Sequence, residues 1–336
     1  MIDALVVGAG PVGLATALYL HRAGLSVTVL EQRAGPIDKA CGEGLLPPAL
    51  GALAELGVRP AGQPLTGIRY LDGARQVEAR FAAGSGLGVR RTELQAALCG
   101  AVLAAGVPVE RVRAAAVSQD GSSVRVAGLT ARYLVAADGL HSGIRRQLGL
   151  AGHTRRRPRW GQRQHFAVAP WTDLVEVHWS ADAEAYVTPV GPDLVGVAVL
   201  SATRKPFTQL LQGFPRLVAR LDAAAGPVRG AGPLRQPVRR RVAGRVLLAG
   251  DAAGYVDALT GEGLSIGLLT ARRLADCLRD DRPAEYEHAW RQATRRYRLL
   301  TEALVLAAGN RVSRPLIMPA AARLPSTFDR IVNALA

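Results

Sequence analysis

Lysine is nearly missing from this 336-residue chain: only Lys39 and Lys205 occur, against forty arginines. Beside abundant alanine and glycine, that skew marks the coding bias of a GC-rich genome. The formal net charge of +15 therefore does not signal a nucleic-acid binder. Such a protein would mix in lysine and interleave aromatics, and aromatics make up only 5% here. The run Arg155, Arg156, Arg157, Arg159 reads as a solvated basic face. Basicity still attracts anionic substrates and cofactor phosphates. No specific nucleic-acid partner is expected. Cysteine is scarce too. Cys41, Cys99 and Cys277 are odd in number and lack metal-ligand spacing, which excludes a disulfide scaffold and predicts no metal. They read as reduced thiols of a cytoplasmic protein. Long apolar runs are also missing. Ala4 to Leu20 lacks charge, but Asp3 precedes it and two glycine clusters and Pro11 interrupt it. Neither a targeting segment nor stable membrane insertion is expected.

Apolar residues make up 49% of the chain, which excludes a disordered polymer. The length suits one large domain or two intimate ones. Ile2 to Val7 is a branched apolar run, as a parallel strand buried on both faces requires. It leads into Gly8-Ala9-Gly10-Pro11-Val12-Gly13, then a helical stretch from Leu14 to Arg22 ended by Gly24, then a strand from Ser26 to Leu30. Glu31 closes the unit, with Gln32 and Arg33 beside it. A lone glycine motif is weak, but strand, glycines, helix and acid in this order define a dinucleotide cradle. Gly8 permits the tight turn, Gly10 lets a pyrophosphate approach the backbone, and Gly13 lets helix and strand pack closely. The helix N-terminus presents unpaired N–H groups to the phosphates, and Glu31 can accept both ribose hydroxyls.

Two further motifs decide which dinucleotide. Arg132 to Ala137 is a strand feeding Asp138-Gly139, with Arg145 and Arg146 beyond it. Arg245 to Ala249 is another, feeding Gly250-Asp251-Ala252-Ala253-Gly254, after which Leu259-Thr260-Gly261-Glu262-Gly263 opens a helix. An aspartate at a strand's carboxyl end, ahead of a helix N-terminus, can bind a sugar-alcohol hydroxyl while nearby amides hold phosphate.

With these three motifs in order, the chain resembles the FAD-dependent superfamily of para-hydroxybenzoate hydroxylase-type monooxygenases and geranylgeranyl reductases, over nearly its whole length. The resemblance implies FAD as cofactor. Gly8, Gly10, Gly13 and Glu31 would hold its ADP half, with Pro11, Val12, Gln32 and Arg33 in the same cradle. Arg91 would open the next helix near the cofactor. Asp138 and Gly139 would serve both FAD and a visiting NAD(P)H. Gly250 and Asp251 would hold the ribityl chain or pyrophosphate. The backbone from Gly261 through Gly263 to Leu264 would lie against the flavin ring, its helix dipole favouring an anionic reduced flavin. The chain departs from the hydroxylases at Gly254, where they usually carry His, and at Ala258, where they carry Pro. Asp38-Lys39-Ala40-Cys41-Gly42-Glu43-Gly44-Leu45 looks like the reductase side. The reductases' substrate motif is present only as Tyr186-Val187-Thr188-Pro189 with Gly196, its Trp and Phe missing.

The fold expected is α/β: a Rossmann-like FAD-binding domain (1–65, 85–153 and 240–280), an antiparallel substrate sheet (66–84 and 154–239) and C-terminal helices (281–336). Short β runs at 175–179, 185–190 and 194–200 carry the sheet. Helices are expected over 264–278 and 284–308, the second basic and amphipathic and read as packing. Cys41 and Glu43 are candidate catalytic residues, although a free cysteine is often an inert hydrophobe and Glu43 could simply tie down its loop. His178, Tyr186 and Pro189 are candidate substrate residues, although His178 reads more readily as a satisfied strand histidine. Gly263-Leu264-Ser265-Ile266-Gly267 fits the spacing of a serine-hydrolase elbow, but Ser265 falls inside a helix where the elbow needs a strand directly before it. The function expected is an NAD(P)H-driven monooxygenase acting on a hydrophobic aromatic, polyketide or isoprenoid-like molecule through a flavin C4a-hydroperoxide. The alternative is a carbon–carbon double-bond reductase of the geranylgeranyl reductase type, and more remotely a non-catalytic flavin binder. One dinucleotide fingerprint leaves NAD(P)H to bind transiently, or a partner reductase to deliver electrons.

Overall fold

The structure, a computed structural model, describes residues 1–73, 75–310 and 312–335. The apolar hexamer at the start forms β1 (Ile2–Val7), its last four residues buried. It is the centre of a parallel ladder. Leu129–Ala136 pairs with it on one side and β2 (Val27–Glu31) on the other. Val246–Leu248 extends the ladder beyond Leu129–Ala136, and Val109–Arg111 beyond β2. Three distant segments thus end at one edge. Gly8, Asp138 and Gly250 come within two residues of these strand ends, in the crevice where open α/β sheets bind ligands.

Helix α1 spans Pro11–Arg22 and buries Leu14, Ala15, Ala17 and Leu18. It begins three residues before the expected Leu14, because a proline in the first turn gives up no hydrogen bond and its fixed φ suits a helix. β2 starts one residue later than expected, because Ser26 is held by the Asp3 carboxylate through its amide and hydroxyl.

The second sheet has seven strands, including Trp160–Phe166, Leu194–Ser201, Ala183–Gly191 and Leu174–Trp179 in antiparallel succession. Gly67–Asp72 and Arg75–Arg80 extend one edge. The expected all-antiparallel sheet is corrected at one joint: Gly67–Asp72 runs parallel to Leu174–Trp179. The 67–80 hairpin reaches this edge from an earlier part of the chain, so no tight turn forces an antiparallel pairing. Partners directly opposite share a face. The rows Val177–Tyr186–Ala198–Arg163 and Thr188–Gly196–His165 therefore form one face. Ala185, Val187, Val197 and Val199 form the other, packed with Phe166 and Phe207.

Four helices complete the chain: Gly263–Arg279, Tyr286–Gly309, Arg314–Arg323 and Pro325–Leu335. The second starts later than expected because Pro283–Glu285 makes a separate 3₁₀ turn. No described helix is long and apolar enough to cross a membrane.

Candidate active site

Each glycine of the first turn has its own geometry. Gly8 has φ +109°, and a Cβ there would lie 2.4 Å from the Ala137 carbonyl oxygen. A Cβ on Gly13 would lie 1.9 Å from the Gly8 oxygen, so only glycine lets α1 sit so close to β1. A Cβ on Gly10 would meet a single atom, Arg91 Nη2 at 3.9 Å, which leaves open space above the α1 N-terminus. Pro11 and Val12 open α1, and the Val12 side chain packs against Gly250 and Gly267, setting the distance to the Gly-Asp turn.

Glu31 is buried at the end of β2. Its Oε2 accepts from the Ala9 amide (2.9 Å), and its Oε1 from the Arg33 amide and Nε (3.0 Å each). Burial works against ionisation, but the bonds from Arg33 and Ala9 outweigh it and hold the carboxyl below its usual range. Glu31 and Arg33 thus brace the rim of the cradle, with Gln32 exposed beside them.

The two aspartate turns meet across Lys39. Its Nζ lies 3.2 Å from Asp251 Oδ2, and a Cβ on Gly139 (φ +85°) would lie 3.5 Å from that nitrogen. Asp138 Oδ2 accepts from the Ile144 amide, while its Oδ1 is buried with no partner. Arg145 is 2% exposed and binds the carbonyls of Leu140, Asp251 and Ala252 together with Gln236 Oε1. One guanidinium thereby locks both turns. Nothing in the sequence assigns Arg145 that role; its place seven residues after Asp138 is the available signal.

Loop 38–44 carries the densest network. Glu43 is buried at φ +60°, the left-handed region. Its Oε1 accepts from the Arg91 amide (2.9 Å) and its Oε2 pairs with His165 Nε2 (2.8 Å). Its amide donates to Cys41 Sγ (3.4 Å). Arg163, buried beside His165, reaches Asp38, which Arg229 also grips. Burial pushes the Cys41 thiol up. Thr188 Oγ1 donates to the Gly42 carbonyl, so the second sheet holds this loop at three points, Asp38, Gly42 and Glu43.

The substrate residues separate. Tyr186 lies on the face toward this loop, but its hydroxyl donates to the Leu259 carbonyl (2.8 Å). His178 is a correction. It is opposite Ala185, on the face packed against Phe207, and its Nε2 bonds Glu176 Oε2 (3.1 Å). Burial would raise the Glu176 carboxyl, yet His178, Trp171 and Arg69 bring it down to about 2. Pro189 is opposite Val195 on that same outer face, and only its carbonyl faces Gly88, so it too is corrected. Side-chain alternation, invisible before the register is known, decides both.

Gly261 has φ +70° and Gly263 begins its helix, where a Cβ would lie 3.2 Å from the Tyr255 ring. Leu264 packs partly buried against the main core. Ser265 is inside the helix, so the hydrolase elbow has no strand. Between Gly261 and Gly263, Glu262 is 4% exposed with an unpartnered Oε2. Burial raises its carboxyl to about 8, opposed by Arg296. Among the described residues no cluster could hold a metal.

A glycine cradle, two aspartate turns at one sheet edge and a second sheet closing on them define a dinucleotide-binding fold of the kind flavoproteins use. The profile of the family described as FAD binding domain matches residues 1–210, and the chain belongs to that family. Menaquinone reductase of Mycobacterium tuberculosis is 32% identical over 326 residues, covering 82% of this chain and 76% of that protein. Para-nitrophenol 4-monooxygenase of a Pseudomonas species is 28% identical, covering 82% and 77%. In fold, the chain is similar to the flavin-dependent brominase Bmp2, with a TM-score of 0.81 at 16% identity, covering 99% and 93%. The residues present fit FAD. Arg91 Nε, whose guanidinium faces the open space at Gly10, and Asp138 Oδ1, in the turn after the strand Leu129–Ala136, are buried without partners, as groups that bind a phosphate and a sugar-alcohol hydroxyl would be.

Proposed function

We propose that this FAD-binding oxidoreductase reduces a carbon–carbon double bond in a hydrophobic, isoprenoid-like small molecule. The observation that carries the reading is Cys41, half-buried and held by the Glu43 amide in a loop that Glu43 fastens to the start of the helix Arg91–Ala104 and to the second sheet. When bound, FAD supplies the hydride. The other carbon then needs a proton, and a thiol whose pKa burial raises stays protonated at neutral pH and can give one. Water returns that proton to the thiolate. Glu43 holds the loop, since both its oxygens are bound to Arg91 and His165. Arg91, Asp138, Lys39 and Asp251 bind and orient the cofactor, and the second sheet excludes water from above. The relative named a reductase supports this reading. The relative named a monooxygenase supports oxygen insertion as the second reading. NAD(P)H binding transiently, or a partner reductase, is proposed as the electron source.

The test is anaerobic reduction of the purified flavoprotein, then addition of an unsaturated isoprenoid acceptor. Saturated product without oxygen uptake is expected, slowed at least tenfold in Cys41→Ala while the flavin spectrum persists. Product formed only when oxygen is consumed would overturn the reading.

A further inference from the structure

We propose that the outer face of the C-terminal helices docks the protein on an anionic lipid surface. In Tyr286–Gly309 the buried stripe is Tyr286, Trp290, Thr294, Thr301 and Ala308. The opposite side carries Leu299 and Leu306, 61% and 54% exposed. Leu316, in the helix Arg314–Arg323, and Val312 and Leu324, just before and after it, are exposed as well. Five of the ten large apolar side chains exposed among the described residues therefore fall between positions 299 and 324, under a tenth of the chain. Scattered exposure needs no explanation, but such concentration marks a contact surface.

Between the helices lies an open groove of about 500 Å³. Leu299 and Leu300 line one wall, Ile331 and Ala334 the other, and Arg296 and Arg330 stand at its margin. Arg291 and Arg314 are committed to Glu287 and Glu184, whereas neither Arg296 nor Arg330 makes an ion pair among the described residues. From position 286 to 335 the sequence has eight arginines against three acids. Exposed leucines flanked by unpaired arginines are the chemistry of a helix lying in a membrane interface. A second copy of this chain would bring the same positive face against itself, which like charge opposes. Anionic headgroups complement it. The exposed leucines of the face lie away from the cofactor crevice, although Arg296 also acts on Glu262 there, and the face would dock in the same way whichever reaction the flavin supports.

The test is co-sedimentation of the FAD-loaded protein with vesicles of phosphatidylglycerol and phosphatidylcholine in equal parts, and with phosphatidylcholine alone. Binding to the mixed vesicles is expected, at least tenfold tighter than to the neutral ones and weakened by salt. Arg296→Gln with Arg330→Gln should lower it about fivefold per arginine. Leu299→Ser with Leu306→Ser should lower it by about tenfold or more with the charge untouched. Arg155→Gln with Arg157→Gln, on an exposed basic loop outside this face and without an ion pair to it among the described residues, should leave it unchanged, and retained flavin absorbance reports that each variant folds. No binding to the anionic vesicles overturns the proposal. So does binding that survives both helix variants, or that is lost in the loop variant.

Discussion

Glu43 Oε2 and His165 Nε2 lie 2.8 Å apart, both side chains buried, and join the loop of Cys41 to the second sheet. Gly196 makes the approach possible, since a Cβ there would lie 2.7 Å from that oxygen. Two elements 122 positions apart in sequence are thereby held as one unit around the cofactor edge.

Glu43→Ala removes the acceptor for His165 and the Arg91 amide and leaves Arg163 with less negative charge nearby. Breaking a buried pair of this kind costs about 3–5 kcal/mol. Glu43→Gln keeps an acceptor oxygen and should cost about 1–2 kcal/mol. Urea unfolding of both variants measures the difference, and a loss under about 1 kcal/mol in the alanine variant would contradict it.

Gly10 and Gly13 should fail differently. Gly13→Ala drives a Cβ into the Gly8 carbonyl and should lower the melting temperature as well as FAD binding. Gly10→Ala meets open space in the protein, so its melting temperature without FAD should be unchanged while FAD affinity falls at least about tenfold, because the methyl occupies the pyrophosphate's approach. Calorimetry of FAD-stripped protein and flavin titration separate the two effects.

Arg145→Met keeps much of the side-chain volume but leaves the Leu140 and Ala252 carbonyls and Gln236 Oε1 without this donor, while the Asp251 carbonyl keeps the Gly254 amide. At about 1–3 kcal/mol for each unsatisfied group, the loss should reach at least about 3 kcal/mol, with weakened FAD retention. An unchanged denaturation midpoint would show that water replaces the guanidinium.

Glu262 gives a pH dependence with a definite sign. Its carboxyl titrates near 8 in the folded protein and near 4.5 unfolded. Between those values the folded state holds a proton that the unfolded state has released. The stability attached to this site is therefore full below about pH 4.5 and is lost as pH rises toward 8. Glu262→Gln should stay more stable than the parent at pH 8, with the gap closing toward pH 5. Melting curves across that range check it.

The nucleotide fold was legible because its signals are local. A β run, three glycines with fixed backbone demands, a helix and an acid lie within about thirty residues, and each sterically requires the next. The helix at Gly263–Arg279 was legible for the same reason, differing by one residue at each end. The clamp on loop 38–44 was not. Arg163 and His165 sit in an ordinary alternating strand, and nothing near them in sequence announces a partner 122 residues earlier. His178 and Pro189 were misplaced for a related reason. Strand character can be read from composition, but which face a residue takes depends on pairing register.

Lys39 has a practical consequence beyond structure. The chain's only other lysine, Lys205, is exposed just past the strand Leu194–Ser201. Reductive methylation with isotope-labelled formaldehyde would therefore place one magnetic-resonance probe at the junction of the Gly139 and Asp251 turns and one reference in solvent, beside the signal of the α-amine, which its pH dependence tells apart. The bias that stripped lysine from the chain has left its cofactor crevice open to direct spectroscopic observation of flavin arriving and leaving.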